Sequence, residues 1–204
     1  IVQISIPRGA KTFELTMNLT DPQSSHASNN KPSNNISFND IETNNNANSS
    51  SNNAPSITPQ EAVNLIQKWQ QAKRKIFAPP YNRYLGEQLL TGKAYADNIR
   101  KQDGSSSSVD WLENNGAYYT YSLQKIDEVT DFNDSGGSSF IEVVTREQRT
   151  LCIDGRPSRD DNTASDKRLV RYNLQYVQGE WKISSYETQN VINKSSNPNK
   201  SCEF

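Results

Sequence analysis

Three arginines in the C-terminal half of the chain have the right chemistry to hold a carboxylate. Arg146, Arg149 and Arg171 lie in stretches rich in β-branched and aromatic residues, and a guanidinium fixed on a strand binds a carboxylate through two parallel hydrogen bonds. The terminal carboxylate of a peptide is one such ligand. The alternative is that these arginines pair across strands with glutamates such as Glu142 on a solvated face of a sheet.

The local pattern ranks these three arginines. In the predicted strand over 140–153, Val143 and Val144 are adjacent and Arg146 and Arg149 are three residues apart. Such a break in alternation is typical of a β-bulge, and bulges redirect side chains beside sites. We therefore expect Arg146 or Arg149 to be the anchor. Arg171 alternates with three apolar neighbours and lies on the outer face of the sheet if those neighbours fill the core.

Aromatic side chains form the second set of candidate contacts, because Tyr and Trp offer rigid contact area with a polar tip. The candidate ligand-binding residues of this type are Trp111, Tyr119, Tyr121 and Tyr172. Successive residues of a strand point to opposite faces, so at most one of Tyr118 and Tyr119 faces a concave side. The alternative for each aromatic is that it fills the core.

The sequence offers few residues that could catalyse a reaction. The single histidine, His26, lies in a stretch of Ser and Asn, which excludes a histidine base or ligand in a folded core. We expect no catalytic residue, no metal site and no cofactor. An isomerase or dehydratase would need a buried carboxylate in its pocket. The candidates are Asp110, Asp127, Glu142 and Glu147, none of which belongs to a recognisable pair.

Two cysteines are too few for a cysteine-rich disulfide framework. Cys152 alternates with apolar neighbours as a small core residue would, and Cys202 could reach it only if the end of the chain folds back. The sequence leaves open whether they pair.

Composition predicts one folded domain with polar flanks. Only 32% of the 204 residues are hydrophobic, against about 45–50% in an ordinary globular domain. We predict a β-hairpin over 1–23, a disordered Asn- and Ser-rich linker over 24–56, a domain over 57–190 and a polar tail over 191–204. The net charge of -1 gives no overall field to hold nucleic acid. No apolar run is long enough to span a membrane.

The periodicity changes along the predicted domain from helical to alternating. Thr58 and Glu61 form a capping box with Pro59 between them, which predicts a helix over about 58–77. Shorter helices are predicted over 84–90, 93–102 and 109–113, and strands over 117–129, 140–153, 168–177 and 181–183. Helices followed by an antiparallel meander indicate an α+β fold, with N-terminal helices packed on one face of a curved antiparallel sheet. Trp69, Ile66 and Leu174 are expected in its core.

Several segments of this domain resemble the intermembrane-space domain of the chloroplast and cyanobacterial division protein family, which also occurs behind cyanobacterial Ser/Thr kinases. They are Ile57-Thr58-Pro59-Gln60-Glu61-Ala62, Ile66-Gln67-Lys68-Trp69, Ile76-Phe77-Ala78-Pro79-Pro80, Ser108-Val109-Asp110-Trp111-Leu112, Tyr118-Tyr119-Thr120-Tyr121, Arg171-Tyr172-Asn173-Leu174 and Gly179-Glu180-Trp181-Lys182-Ile183. The likeness covers about 57–187. Its closing hairpin is also common in cone-like domains similar to nuclear transport factor 2, and we expect that shape.

The resemblance implies a non-catalytic protein-interaction module in cell division or membrane-linked signalling. It implies a protein or peptide partner, such as a C-terminal tail, held in a pocket between helices and sheet that is lined mostly by aromatic and aliphatic groups. It also implies an extracytoplasmic, periplasmic-side location, with membrane attachment only through a part of a longer parent chain. The alternatives are a small-molecule-binding or enzymatic cone domain and a structural spacer. The sequence leaves the oligomeric state open.

Overall fold

The computed structural model describes residues 55–158 and 163–203. The predicted hairpin over 1–23 and all but the last two residues of the predicted linker over 24–56 lie outside these residues, as does His26. Within the described part of the chain, no helix combines the length and the apolar character that a membrane span requires. No cluster of three or more potential metal ligands occurs there either.

Four helices precede the sheet: α1 (Pro59–Ile76), α2 (Arg83–Leu89), α3 (Gly92–Asn98) and α4 (Ser108–Asn114). Helix α1 begins at the predicted capping box, in which the Thr58 hydroxyl accepts from the Glu61 amide and the Glu61 carboxylate accepts from the Thr58 amide. Ser107 and Asp110 form a second capping box at α4. Helix α3 ends at Asn98, earlier than predicted. Beyond it, the amide of Arg100 donates to the carbonyl of Tyr95, five residues back, where an α-helix would bond four residues back.

The strands are β1 (Ala117–Asp134), β2 (Ser138–Ile153), β3 (Arg156–Pro157), β4 (Ala164–Val177) and β5 (Glu180–Ser196). They form one antiparallel sheet in the order β1-β2-β4-β5, with β3 paired to β2. The helices cover one side, here called the helix face, and the opposite side is the outer face. The predicted α+β class, with N-terminal helices packed on an antiparallel sheet, is confirmed.

The bulge predicted in β2 is wrong, because the irregularities lie on β1. Strand β2 pairs with β4 without a shift, whereas three shifts against β1 leave Ser122, Asp127 and Thr130 as extra residues of β1. Strand β2 therefore alternates regularly. Since Arg146 and Arg149 are three residues apart on it, they point to opposite faces.

The last strand is longer than predicted. Strand β5 continues to Ser196, so the predicted boundary at 190 falls inside a strand. Its polar end pairs with β4 through the backbone, which needs no apolar side chains. Residues 197–203, here called the C-terminal segment, then fold back over the outer face.

A disulfide holds the C-terminal segment in place. Cys202 is bonded to Cys152 of β2, with 5.8 Å between their Cα atoms. The Tyr118 hydroxyl donates to the carbonyl of Cys202. Near the start of the segment, the buried amide of Asn197 donates to the carbonyl of Arg149 and to the hydroxyl of Thr150. The pairing that the sequence left open is therefore present.

The core lies between α1 and the helix face of the sheet. Trp69, Ile66 and Leu174 are each at most 1% exposed, as predicted. Tyr119 and Tyr118 point to opposite faces: Tyr119 packs its ring against Phe77 on the helix face, and Tyr118 meets the C-terminal segment. At the other end of the helical layer, Gly86 of α2 is packed against the side chain of Ile99.

Candidate functional site

A cleft of about 90 Å³ opens between the last turns of α1 and strands β2, β4 and β5. It lies between helices and sheet, where a partner-binding pocket is expected, but its lining differs from the mainly aromatic and aliphatic lining of that expectation. Charged and polar groups dominate it, because alternate residues of β2 and β4 bring ionisable side chains to the helix face here. The lining residues are Gln70, Lys73, Thr145, Glu147, Arg149, Asp166, Arg168, Val170, Tyr172, Tyr186 and Thr188.

Five charged side chains form one connected network in this cleft. Glu147 accepts from the ammonium of Lys73 on α1 and lies 3.3 Å from Nη1 of Arg149. The same Nη1 lies 2.9 Å from the Asp166 carboxylate, which also binds Arg168. The Asp166 side chain is 1% exposed and that of Glu147 is 16% exposed. The two carboxylates are thus bridged by one guanidinium.

The strand register explains this arrangement. Glu147 of β2 and Asp166 of β4 are direct partners in the sheet, and direct partners project to the same face. Arg149 and Arg168 lie two residues further along their strands, so they share that face. Lys73 lies in the last turn of α1, above the ring of Tyr121, with Nζ 5.2 Å from the ring centroid.

The network carries an excess of positive charge. Burial acts to raise the pKa of Glu147, but the charges of Lys73 and Arg149 outweigh it, so the pKa is lower than usual. Burial acts to lower the pKa of Arg149, and Glu147 and Asp166 reverse that effect. Three cations therefore face two carboxylates, a net charge of +1. Nε of Arg168, a donor, and Oδ1 of Asp166, an acceptor, are both buried without a hydrogen-bond partner among the described residues.

Aromatic rings form the wall of the cleft and continue beyond it. Tyr172 is buried and Tyr186 is partly buried, with their ring centroids 5.5 Å apart, and burial raises the pKa of both phenols. The Tyr186 hydroxyl donates to Oδ1 of Asn98. Tyr121, which is 7% exposed, packs against Tyr119. Tyr121 and Tyr172 are therefore largely core residues, one beside the cleft and one lining it.

The structure separates the candidate ligand-binding residues. Arg149 and Tyr172 line the cleft, Tyr121 contacts Lys73 beside it, and Tyr119 packs on Tyr121. Trp111 is 45% exposed on α4 and is not part of the lining.

Two of the candidate arginines lie on the outer face. Arg146 is paired with Asp127 at 2.7 Å. Arg171 is paired with Glu142 at 2.7 Å and lies over the ring of Phe140. For Arg171 this is the cross-strand alternative that the sequence analysis described. Arg146 is not an anchor in this cleft, and Arg149 is the candidate arginine that remains there.

Sequence reasoning missed Lys73, Asp166 and Arg168. The run from Lys73 to Lys75 suits the negative end of the helix dipole, which concealed the contact of Lys73 with Glu147. The signal that could have found the other two is the alternation of Asp166, Arg168 and Val170 along β4. The predicted strand began at Arg168, whereas β4 begins at Ala164.

Comparisons with known proteins agree with this architecture. The profile of the family described as "ARC6-like, IMS domain" matches residues 62–184. The solved structure of the intermembrane space region of the chloroplast protein ARC6 is similar, with a TM-score of 0.53 and 23% sequence identity. That likeness covers 66% of this chain and 98% of the other. No curated protein matches the chain significantly.

Proposed function

The chain belongs to the family of ARC6-like intermembrane-space domains, and on that premise we propose that it is a non-catalytic module that binds a segment of a partner protein. The observation that carries the proposal is the net positive network in the cleft beneath α1. A buried guanidinium N–H without a partner favours an acceptor, and an excess positive charge favours an anion. A carboxylate supplies both.

The size of the cleft limits what enters. About 90 Å³ corresponds to roughly three water molecules at ~30 Å³ each, which is room for a carboxylate and little more. A small-molecule pocket is typically ~300–1,000 Å³. The size therefore favours the end of a chain over a cofactor-sized ligand. Arg168 and Arg149 are its proposed anchors.

The location that we propose is extracytoplasmic, on the periplasmic side of a membrane, and the cellular process is division or membrane-linked signalling. The family supports this, and the disulfide between Cys152 and Cys202 supports it independently. Disulfides persist in oxidising compartments and are rare in the cytosol of most organisms.

An enzymatic role is the second candidate, and the bridged pair of Glu147 and Asp166 is the observation that favours it. A general acid or base works best with a pKa near the operating pH. The pKa of Glu147 is instead lowered, and both carboxylates are held by cations. This electrostatic environment supports a binding role over proton transfer.

The test uses acetate as the simplest carboxylate probe and acetamide as its neutral counterpart. In NMR titrations of the full chain, we expect acetate to shift the Nε–Hε signals of Arg168 and Arg149, and acetamide to leave them unchanged. Arg168→Gln should weaken acetate binding by one to two decades, because a charge-assisted hydrogen bond contributes about 1.5–3 kcal/mol. Arg171→Gln, on the outer face, is the matched control. Equal shifts with both probes would show that carboxylate capture is wrong.

A free-acid C-terminal peptide library then identifies the partner sequence. Peptides selected on the unmutated chain should lose binding when their termini are amidated. If amidated peptides bind equally well, the cleft does not recognise a chain end.

A further inference from the structure

A pocket of about 430 Å³, here called the outer pocket, lies on the outer face of the sheet. Its volume is within the range of ~300–1,000 Å³ that is typical of small-molecule pockets. The C-terminal segment borders it, because Asn197 donates to Thr150, which is two residues beyond Gln148 on β2. Polar and cationic side chains dominate the lining, among them Arg146, Gln148, Ser165, Lys167, Asn193 and Ser195.

The strand register forms the floor of the outer pocket from two successive rows of direct partners. Gln148, Ser165 and Ser195 make up the first row across β2, β4 and β5, and they carry one amide and two hydroxyl groups. Arg146 and Lys167 belong to the second row. The rows are two residues apart along each strand, which is about 7 Å at ~3.3 Å per residue.

The second row contains three neighbouring cations. Lys125 of β1 is the direct partner of Arg146, which is the direct partner of Lys167 of β4. Like charges directly opposite one another destabilise a sheet. Asp127 contacts all three cations, so these four side chains have a net charge of +2. Glu128 belongs to the following row. An anion in the outer pocket would relieve the repulsion between the cations.

The cations and the amide of this pocket keep hydrogen-bond donors that the described residues do not use. Arg146 binds Asp127 through Nε and Nη2, which leaves Nη1. Nζ of Lys167 lies 3.9 Å from the Asp127 carboxylate, which is too far for a hydrogen bond. Oε1 of Gln148 accepts from the Ser122 hydroxyl, which leaves the two N–H bonds of the Gln148 amide. Such a set of donors suits a ligand with several acceptor oxygens.

We propose that the outer pocket binds a soluble phosphate monoester, which goes beyond the proposed carboxylate cleft on the helix face. The phosphate dianion balances the net charge of +2, and its oxygens accept from Nη1 of Arg146 and Nζ of Lys167. The esterified group lies over Gln148, Ser165 and Ser195, whose amide and hydroxyl groups bind polar atoms such as those of a sugar.

The two-part floor favours a phosphate monoester over other anions. A bare anion would occupy the cationic row and leave the row of Gln148, Ser165 and Ser195 without a ligand. A carboxylate carries one negative charge and two acceptor oxygens, whereas a phosphate monoester carries two charges above its second pKa of ~6 and offers three strong acceptors. An acidic protein segment would meet a floor of which only one row is cationic.

The experiment is an NMR titration of the full chain with glucose 6-phosphate, glucose and inorganic phosphate, at constant ionic strength and at about pH 7.5, where the monoester is a dianion. We expect glucose 6-phosphate to shift the side-chain NH₂ signals of Gln148 and Asn193, and glucose to leave them unchanged. Inorganic phosphate should bind more weakly than glucose 6-phosphate. If inorganic phosphate binds as tightly, the pocket holds an adventitious ion only and the proposal is wrong.

Two variants test the two rows separately. Lys167→Gln should weaken binding of glucose 6-phosphate about tenfold, the lower end of the effect of a charge-assisted bond, because Lys167 is partly exposed. Ser165→Ala changes no charge, so it should weaken binding of glucose 6-phosphate and leave binding of inorganic phosphate unchanged. Both variants keep the pair of Arg146 and Asp127 and should fold. Lys68→Gln, at an exposed position of α1, makes the same change in net charge as Lys167→Gln and should have no effect.

Three outcomes would overturn the proposal. Equal weakening by Lys68→Gln and Lys167→Gln would show a general attraction between charges. An unchanged affinity of Ser165→Ala for glucose 6-phosphate would show that the floor does not hold the ester. Tighter binding of a hexaglutamate peptide than of glucose 6-phosphate would show an acidic-protein surface. Arg168→Gln should weaken acetate binding in the cleft and leave glucose 6-phosphate binding unchanged, so failure of this proposal is distinguishable from failure of the proposed function.

Discussion

Breaking the ion pair between Lys73 and Glu147 should lower the free energy of unfolding of the domain strongly. Both side chains are nearly buried, with 15% and 16% exposure, so solvent screens them little. Two unit charges 4 Å apart at an effective dielectric constant of 20 attract by about 4 kcal/mol. Glu147→Gln leaves three cations around Asp166 alone. We expect a loss of about 3–5 kcal/mol in the free energy of unfolding, the usual cost of breaking a buried pair.

Urea unfolding at pH 7, followed by tryptophan fluorescence, measures this loss. Lys73→Met should cost less, because Arg149 still holds Glu147. The double variant Lys73→Met/Glu147→Gln should cost less than the sum of the two single variants. The exposed pair of Lys93 and Asp97 provides the control, since Asp97→Asn should cost at most about 0.5 kcal/mol.

The pH dependence gives the same prediction an independent test. The pKa of Glu147 is lowered from 4.5 in the folded state, so its stabilising contribution is fully present above that value and is lost as the pH falls through the lowered folded pKa. The gap between the unmutated chain and Glu147→Gln should be constant from pH 6 to 8 and shrink in acid. A loss below about 1 kcal/mol, or a gap that does not shrink, would refute the account of the network.

Three further predictions concern the frame around the site. Replacing Cys152 and Cys202 by Ser should lower the free energy of unfolding by up to about 4 kcal/mol, the chain-entropy value for a sequence separation of 50 residues. The reduced unmutated chain should melt at the same temperature as this variant. Asn197→Ala removes one buried and one partly buried hydrogen bond to β2 and should lower the free energy of unfolding in urea by about 1–3 kcal/mol. An unchanged free energy of unfolding would show that the C-terminal segment does not stabilise β2. Gly86→Ala would place a Cβ 2.2 Å from Cδ1 of Ile99. The resulting overpacking should destabilise the fold by about 1–3 kcal/mol, which outweighs the gain of about 1 kcal/mol in helix propensity. A higher melting temperature for the variant in calorimetry would contradict this prediction.

Sequence patterns that involve only neighbouring residues predicted most of the helices and strands. The capping box at Thr58 fixed the start of α1, because it depends on residues only three positions apart. The alternation around Tyr118 and Tyr119 gave both the strand and the opposite placement of the two rings. Such signals need no knowledge of where other strands lie.

The charged network could not be predicted in the same way. Glu147 and Asp166 meet because β2 and β4 pair in one register, and that register depends on the whole connection between the strands. The bulges of β1 do leave a signal in the sequence, because Ile126, Val129 and Phe132 share the helix face although they lie three residues apart, which departs from strict alternation. The end of β5 was missed because its pairing uses backbone groups, which every residue type supplies.

The disulfide also makes the second half of the sheet a covalent ring. The closed path runs from Cys152 through β3, β4 and β5 to Cys202. A protease that cuts the backbone once anywhere inside this ring leaves both pieces joined through sulfur, and the strands stay paired in the sheet. In an environment rich in proteases, one nick in a turn therefore neither releases a fragment nor removes Arg168 from the cleft. The cut appears on a gel only after a reductant has opened the ring.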